Sequence, residues 1–189
     1  MSKRYFNLLF LSLVFTACTK TKHIKQNPFE IGKQHIGLVT DSTQVKDLKT
    51  IFINDSLVTF ISGDEFAGNT NTIEIYEKGG GKLLSITPQQ TLDSTSVIKS
   101  VRLFDPRYKT KKNITTKSVF KDIKAQHNIS SINNLINSVV ITVNDINASI
   151  TIDKNELPEN LRHDMDLKYT SENIPNDAKI KYFFIHWNN

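Results

Sequence analysis

Residues 40–49, Thr-Asp-Ser-Thr-Gln-Val-Lys-Asp-Leu-Lys, return 75 positions later as residues 115–124, Thr-Thr-Lys-Ser-Val-Phe-Lys-Asp-Ile-Lys, aligned without a gap. In the first copy Val45, Leu48, Ile51 and Phe52 are spaced by three and four, which places them on one face of a helix. Phe120 and Ile123 take the same places in the second copy. Ser42 or Thr43, and Ser118 in the second copy, are the expected caps, because a hydroxyl can accept from the first unpaired amides of a helix. Asn54-Asp55-Ser56 ends the first helix.

The segments after the two helices are also alike. Leu57–Ile61, Thr72–Glu77 and Lys82–Thr87 have strand character, the last two alternating around Gly79-Gly80-Gly81, whose glycines can supply the positive φ of a hairpin turn. After the second helix, Ser138–Val143 and Ala148–Ile152 alternate around Asn144–Asn147. Val97–Phe104 and Lys179–Trp187 add two more strands. The second is apolar enough to predict a place inside a sheet rather than at its edge. Pro158–Glu172 reads as loop with a helical turn. The expected fold is α+β: mostly antiparallel sheet, two short amphipathic helices, and an internal duplication of a helix-plus-strands unit. The repeat halves run roughly over 30–105 and 106–189, within one domain spanning 28–189.

The chain ahead of that domain reads as an address. Lys3 and Arg4 precede the apolar run Tyr5–Phe15, and small residues lead into Cys18. That run is too short to span a bilayer comfortably, which takes about 20 residues. Val14-Phe15-Thr16-Ala17-Cys18 resembles the lipobox of bacterial lipoproteins, with Phe15 bulkier than the usual Leu. The resemblance implies cleavage after Ala17 and lipidation of Cys18, so that residues 1–17 are a signal peptide and the chain is held to a membrane by acyl chains. Residues 18–27, with Lys20, Lys22 and Lys25 and one Ile, then form a flexible tether. Leader, tether and body together are similar to small lipoproteins of Bacteroidetes-type bacteria that have no assigned activity. Thr19 after the anchor, as read in such lipoproteins, implies the outer membrane, with the domain facing the periplasm. At the level of fold alone the body is similar to small periplasmic domains with a helix packed on antiparallel strands.

Composition excludes several classes. Of the 189 residues the leader takes 17, and of the formal charge of +5 it takes 2, which leaves 172 residues and a charge of +3. So small a surplus, with acids interspersed, argues against a nucleic-acid partner. Cys18 is the one cysteine, so no intramolecular disulfide can form and the core must hold itself together. No Gly-x-Ser-x-Gly elbow is present, and Gly79-Gly80-Gly81-Lys82 lacks the spacing of a phosphate loop. The five histidines (23, 35, 127, 163 and 186) never recur at i+3 or i+4, so no metal pair is preset. His163-Asp164-Met165-Asp166 lacks the central glycine of a calcium loop and reads as an ordinary polar loop. His127 and His186 fall on apolar stretches, where an imidazole packs. No cofactor motif appears.

The candidate binding residues are Arg107 and Tyr108 in Asp105-Pro106-Arg107-Tyr108-Lys109, where a turn brings cations and an aromatic to a strand end. Arg107 could grip a carboxylate or phosphate in a forked contact with Tyr108 as a wall. Alternatively Asp105 caps the turn, Tyr108 packs and Arg107 pairs with a surface acid. The functional expectation is a membrane-anchored, non-catalytic binding module of the cell envelope with a protein or glycan partner. Its alternative is a periplasmic hydrolase whose site assembles only in the fold.

Overall fold

The computed structural model describes residues 27–64 and 68–187. Cys18, the leader and all of the tether except Asn27 lie outside them. In chain order the elements are β1 (Glu30–Ile31), β2 (His35–Ile36), β3 (Val39–Thr40), α1 (Leu48–Ile51), β4 (Ser56–Asp64), β5 (Gly68–Tyr76), β6 (Lys82–Pro88), β7 (Ile98–Leu103), β8 (Lys109–Thr110), α2 (Phe120–Gln126), β9 (Ser131–Asn134), β10 (Ser138–Val143), β11 (Ala148–Asp153) and β12 (Ile180–His186). Single 3-10 turns precede α1 and follow β10, and two follow β11.

Eight strands form one sheet in the order β4-β5-β6-β7-β12-β11-β10-β9, every neighbour antiparallel. Each half contributes a four-stranded meander, and the two meet at their last strands, with Ile185 opposite Val101 and Phe183 opposite Leu103. β12 thus lies at the middle of the sheet, as its apolar run predicts. β1, β2, β3 and β8 make a separate small sheet in which β1 and β8 run parallel.

The two halves repeat bond for bond at the helix entrances. Gln44 bridges Val97, and Val119 bridges Lys179. Val45 and Lys46 donate to the carbonyls of Ser96 and Ser94; Phe120 and Lys121 donate to those of Ala178 and Asn176. The helix residues are displaced by 75 positions, like the sequence match, and their partners by 82. The caps differ from expectation. The Asp47 and Asp122 carboxylates reach back to the amides of Gln44 and Val119, at 3.2 and 3.0 Å. The hydroxyls of Thr43 and Ser118 instead accept from the amides of Thr40 and Thr115, closing the turn before each helix. The first helical amides are taken by the carbonyls of Ser96, Ser94, Ala178 and Asn176, and the acid three residues in takes the amide of the cap residue, which leaves the hydroxyls for the turn.

The expected α+β balance is corrected. The protein is β-rich, 40% strand against 15% helix, because α1 and α2 span only 4 and 7 residues. Both stop where polar residues and a non-helical backbone at Phe52 and His127 break the period. Much of the cover that longer helices would have supplied comes from the small sheet and the irregular segment 154–179. These bring Ile31, Ile36, Val39, Leu157, Tyr169 and Ile174 into the same buried cluster as Leu48, Phe120 and Ile123, joined by Tyr108 just ahead of β8. Against them pack the inward rows of the sheet, among them Ile75, Leu84, Val101, Phe183, Ile185, Ile150 and Ile141. Trp187 closes one end, donating from Nε1 to the Lys33 carbonyl at 3.0 Å. Gly79 and Gly80, at φ +117° and +97°, make the β5–β6 turn, and Asn147, at +51°, serves the β10–β11 turn.

Candidate functional site

Because strand side chains alternate, a sheet covered on one face presents every second residue on the other. The register places Glu74, Ser85, Arg102, Phe184, Ser149 and Thr142 in one row across six strands. Tyr76, Tyr182 and Val140 flank that row on one side, Thr87, Ser100 and His186 on the other. All twelve side chains are half-buried, in contrast to the buried rows on the opposite face. The face is therefore open.

Its centre is a cation held among rings. The Arg102 guanidinium carbon lies 4.0 Å from the Tyr182 ring centroid, 4.5 Å from Phe104 and 5.8 Å from Phe184. Lys82 Nζ stands 4.3 Å from Phe104 and 5.8 Å from Tyr76. Phe184 meets Tyr182 edge-on at 6.5 Å and stacks on His186 at 5.9 Å. Glu74 ties the patch together, accepting from Lys82 and from the Tyr76 hydroxyl. Burial acts to raise the Glu74 carboxyl, but the hydrogen bonds from Lys82 and Tyr76 outweigh it and hold the group below its ordinary range. The edge strand β4 extends the face with Val58 and Phe60, which are 40% and 49% exposed and so leave apolar surface at its border.

At one side of this face Ser149 Oγ lies 2.6 Å from His186 Nε2. Burial, with a smaller push from Lys99, lowers the pKa of the imidazole and favours its uncharged form, whose tautomer sets which of the two groups donates. Among the described residues no carboxylate lies within ion-pair distance of His186, the place that the orienting acid of a hydrolase triad would take.

Arg107 and Tyr108 lie elsewhere, between the β5–β6 turn and the start of β8. The Arg107 fork is engaged by the chain's own carboxylates, Asp105 at 2.7 Å and Glu77 at 2.8 Å, and its plane rests 4.7 Å from the Phe29 ring. Asp105 Oδ1 also accepts from the Arg107 amide, closing the turn. The hydrogen bond from Arg107 is the main cause that holds the Asp105 carboxyl below its usual range. Tyr108 is 3% exposed and meets Phe29 edge-on at 5.1 Å, and burial pushes its phenol far above the ordinary value. The segment is a clasp between two turns.

The other sequence candidates also find structural partners. Asp164 accepts from the amides of Asp166 and Leu167, while Asn134 Nδ2 donates to the carbonyls of Asp164, Met165 and Leu167. The loop's polar groups thus bond to one another and to β9. Among the described residues no cluster of three His, Cys, Asp or Glu side chains could hold a metal. His127 takes the place of Phe52 in the second half; it is buried, with Nδ1 2.7 Å from Asp145 Oδ2.

Sequence reasoning misses the open face, although one signal is present. In Lys179–Trp187 both alternating sets are apolar or aromatic, so a strand buried on one face must show Tyr182, Phe184 and His186 on the other.

No protein-family model matches the chain, and no curated protein matches it. Among solved structures it is similar to the uncharacterized protein yfeY from Escherichia coli, with a TM-score of 0.58 at 12% identity, over 83% of this chain and 99% of that one. At that identity the likeness is one of fold.

Proposed function

We propose that this chain is a lipid-anchored, non-catalytic binding module of the bacterial envelope, and that a partner protein docks on the open face of its eight-stranded sheet. The observation that carries this reading is the Arg102 cluster. Arginine and aromatic side chains gathered at the centre of a patch, ringed by hydroxyls, have the composition of interface hot spots. Ser85, Ser100, Ser149 and Thr142 supply that polar ring. Cys18, lipidated after cleavage at Ala17, would hold the module at the outer membrane facing the periplasm, with the tether giving it reach. The bond-for-bond recurrence of the helix entrances supports the internal duplication read from the sequence. A duplicated meander joined through its last strands also explains how so short a chain builds so wide a face.

The test is purification of the mature protein from detergent-solubilised membranes. The expected result is a stoichiometric partner that Arg102→Glu loses while the variant stays folded. A partner retained undiminished by Arg102→Glu places the interface elsewhere. Recovery of a glycan in place of a protein would change the partner class and refute the reading as stated.

A second reading rests on the Ser149–His186 contact, a pairing with the form of a nucleophile and its base. It predicts covalent labelling of Ser149 by a fluorophosphonate probe, abolished in His186→Gln. An unlabelled wild-type protein removes it.

A further inference from the structure

Lys154 directly follows β11 and is 4% exposed. Its ammonium has weak company: the Met165 thioether sulfur at 3.7 Å and the Tyr169 ring, whose centroid is 5.9 Å away. Among the described residues no carboxylate lies within ion-pair distance of it. The adjacent carboxylate, Asp153, is committed to Lys181 at 2.6 Å and to the amide of Asn155 at 2.9 Å. A charge withdrawn from water needs an opposite charge or several good acceptors, and a thioether is a poor acceptor.

Lys154 also lines a recess of about 300 Å³ whose wall carries Arg162, Lys181, His163, Asn137 and Asn155. The Arg162 guanidinium is fixed there, Nε donating to the Leu157 carbonyl at 2.8 Å and Nη2 to that of Asn155 at 3.1 Å. Two lysines, an arginine and two asparagines line one recess, with Asp153 the single acidic residue among them. Their surplus of donors and positive charge suits an oxyanion and repels a cation.

We propose that this recess binds a small oxyanion, a carboxylate or phosphate group, which gives buried Lys154 its counter-charge. The site lies beyond the docking reading above and stands without it, since it shares no residue with the Arg102 cluster.

The experiment is thermal unfolding of the mature protein in detergent with inorganic phosphate, acetate or glycerol 1-phosphate, each against sodium chloride of matched ionic strength. A saturable rise in Tm beyond that in chloride is expected, reaching about 5–10 °C at a hundredfold excess over Kd. A response to acetate or phosphate identifies a free anion as sufficient; a response confined to glycerol 1-phosphate identifies a headgroup. Lys154→Met should abolish the response, and without anion it should melt no lower than wild type, because it exchanges a buried unpaired charge for an apolar chain of similar length. Arg162→Gln, at the wall, should weaken the response by at least tenfold in Kd, and it decides the matter if Lys154→Met does not fold. A wild-type protein that responds to none of the three beyond chloride, or variants that respond as wild type does, would overturn the proposal.

Discussion

Replacing Arg102 by Ala removes a guanidinium that stands 4.0 Å from one ring and 4.5 Å from another. A cation over an aromatic face is worth about 0.5–1 kcal/mol at an exposed site and more where water is excluded. The third ring, at 5.8 Å, lies near the limit of the interaction and adds little. Two effective contacts on a half-buried side chain give a cost of about 1–2 kcal/mol, or about 2–8 °C in Tm for a domain of this size. Urea titration monitored by circular dichroism measures it. Arg102→Met separates charge from packing, because it keeps much of the stem and should recover part of the loss. In a double-mutant cycle with Tyr182→Leu, a coupling of about 0.5–1 kcal/mol is expected, since removal of either partner already breaks the contact. Additive losses, or an Arg102→Ala variant as stable as wild type, would refute the reasoning that the rings hold the guanidinium in place.

Phe120→Ala, which empties a fully buried position at the start of α2, should cost about 3–5 kcal/mol, and Leu48→Ala, at the place in the first half that matches Ile123, about 2–5, both read as lower urea midpoints. Burial holds the His186 pKa below its ordinary value of 6.5, so the unfolded chain takes up that proton first. Its contribution to stability is complete above pH 6.5 and is lost as pH falls from there through the folded pKa. His186→Gln should flatten this part of the stability–pH curve, and an unchanged curve would refute the assignment. Cys18→Ala should move the protein from the membrane to the soluble fraction and abolish incorporation of labelled palmitate, and continued membrane retention would contradict the anchor.

Much of the architecture is legible in the sequence because it depends on period and punctuation. Ser138–Val143 has the same bounds in sequence and structure, and the alternation around Gly79-Gly80-Gly81 and Asn144–Asn147 marks two hairpins. The 75-residue recurrence locates both helix entrances. It cannot show that the halves join at β7 and β12, since a strand's neighbour across a sheet leaves no local mark. β9, Ser-Ile-Asn-Asn, has poor strand propensity and is held by its pairing with β10, Ile132 opposite Ile141. β1, β2, β3 and β8 are two residues each, below any periodic signal.

The candidate site is less legible. Asp105, Arg107 and Tyr108 are neighbours in sequence, which makes them conspicuous, yet Glu77 from a distant turn completes a clasp there. Arg102, Phe104, Tyr182 and Phe184 come from two segments some 80 residues apart, and only the register brings them together.

Docking on the open face is tested most directly by photo-crosslinking in intact cells, with the reactive residue placed in turn at Ser85, Ser149 and Thr142 on that face and at Lys121 and Lys124 on α2. One shared adduct is expected from the three sheet positions, lost when Arg102→Glu is added, and none from the two helix positions. Adducts from α2 with none from the sheet would contradict docking there.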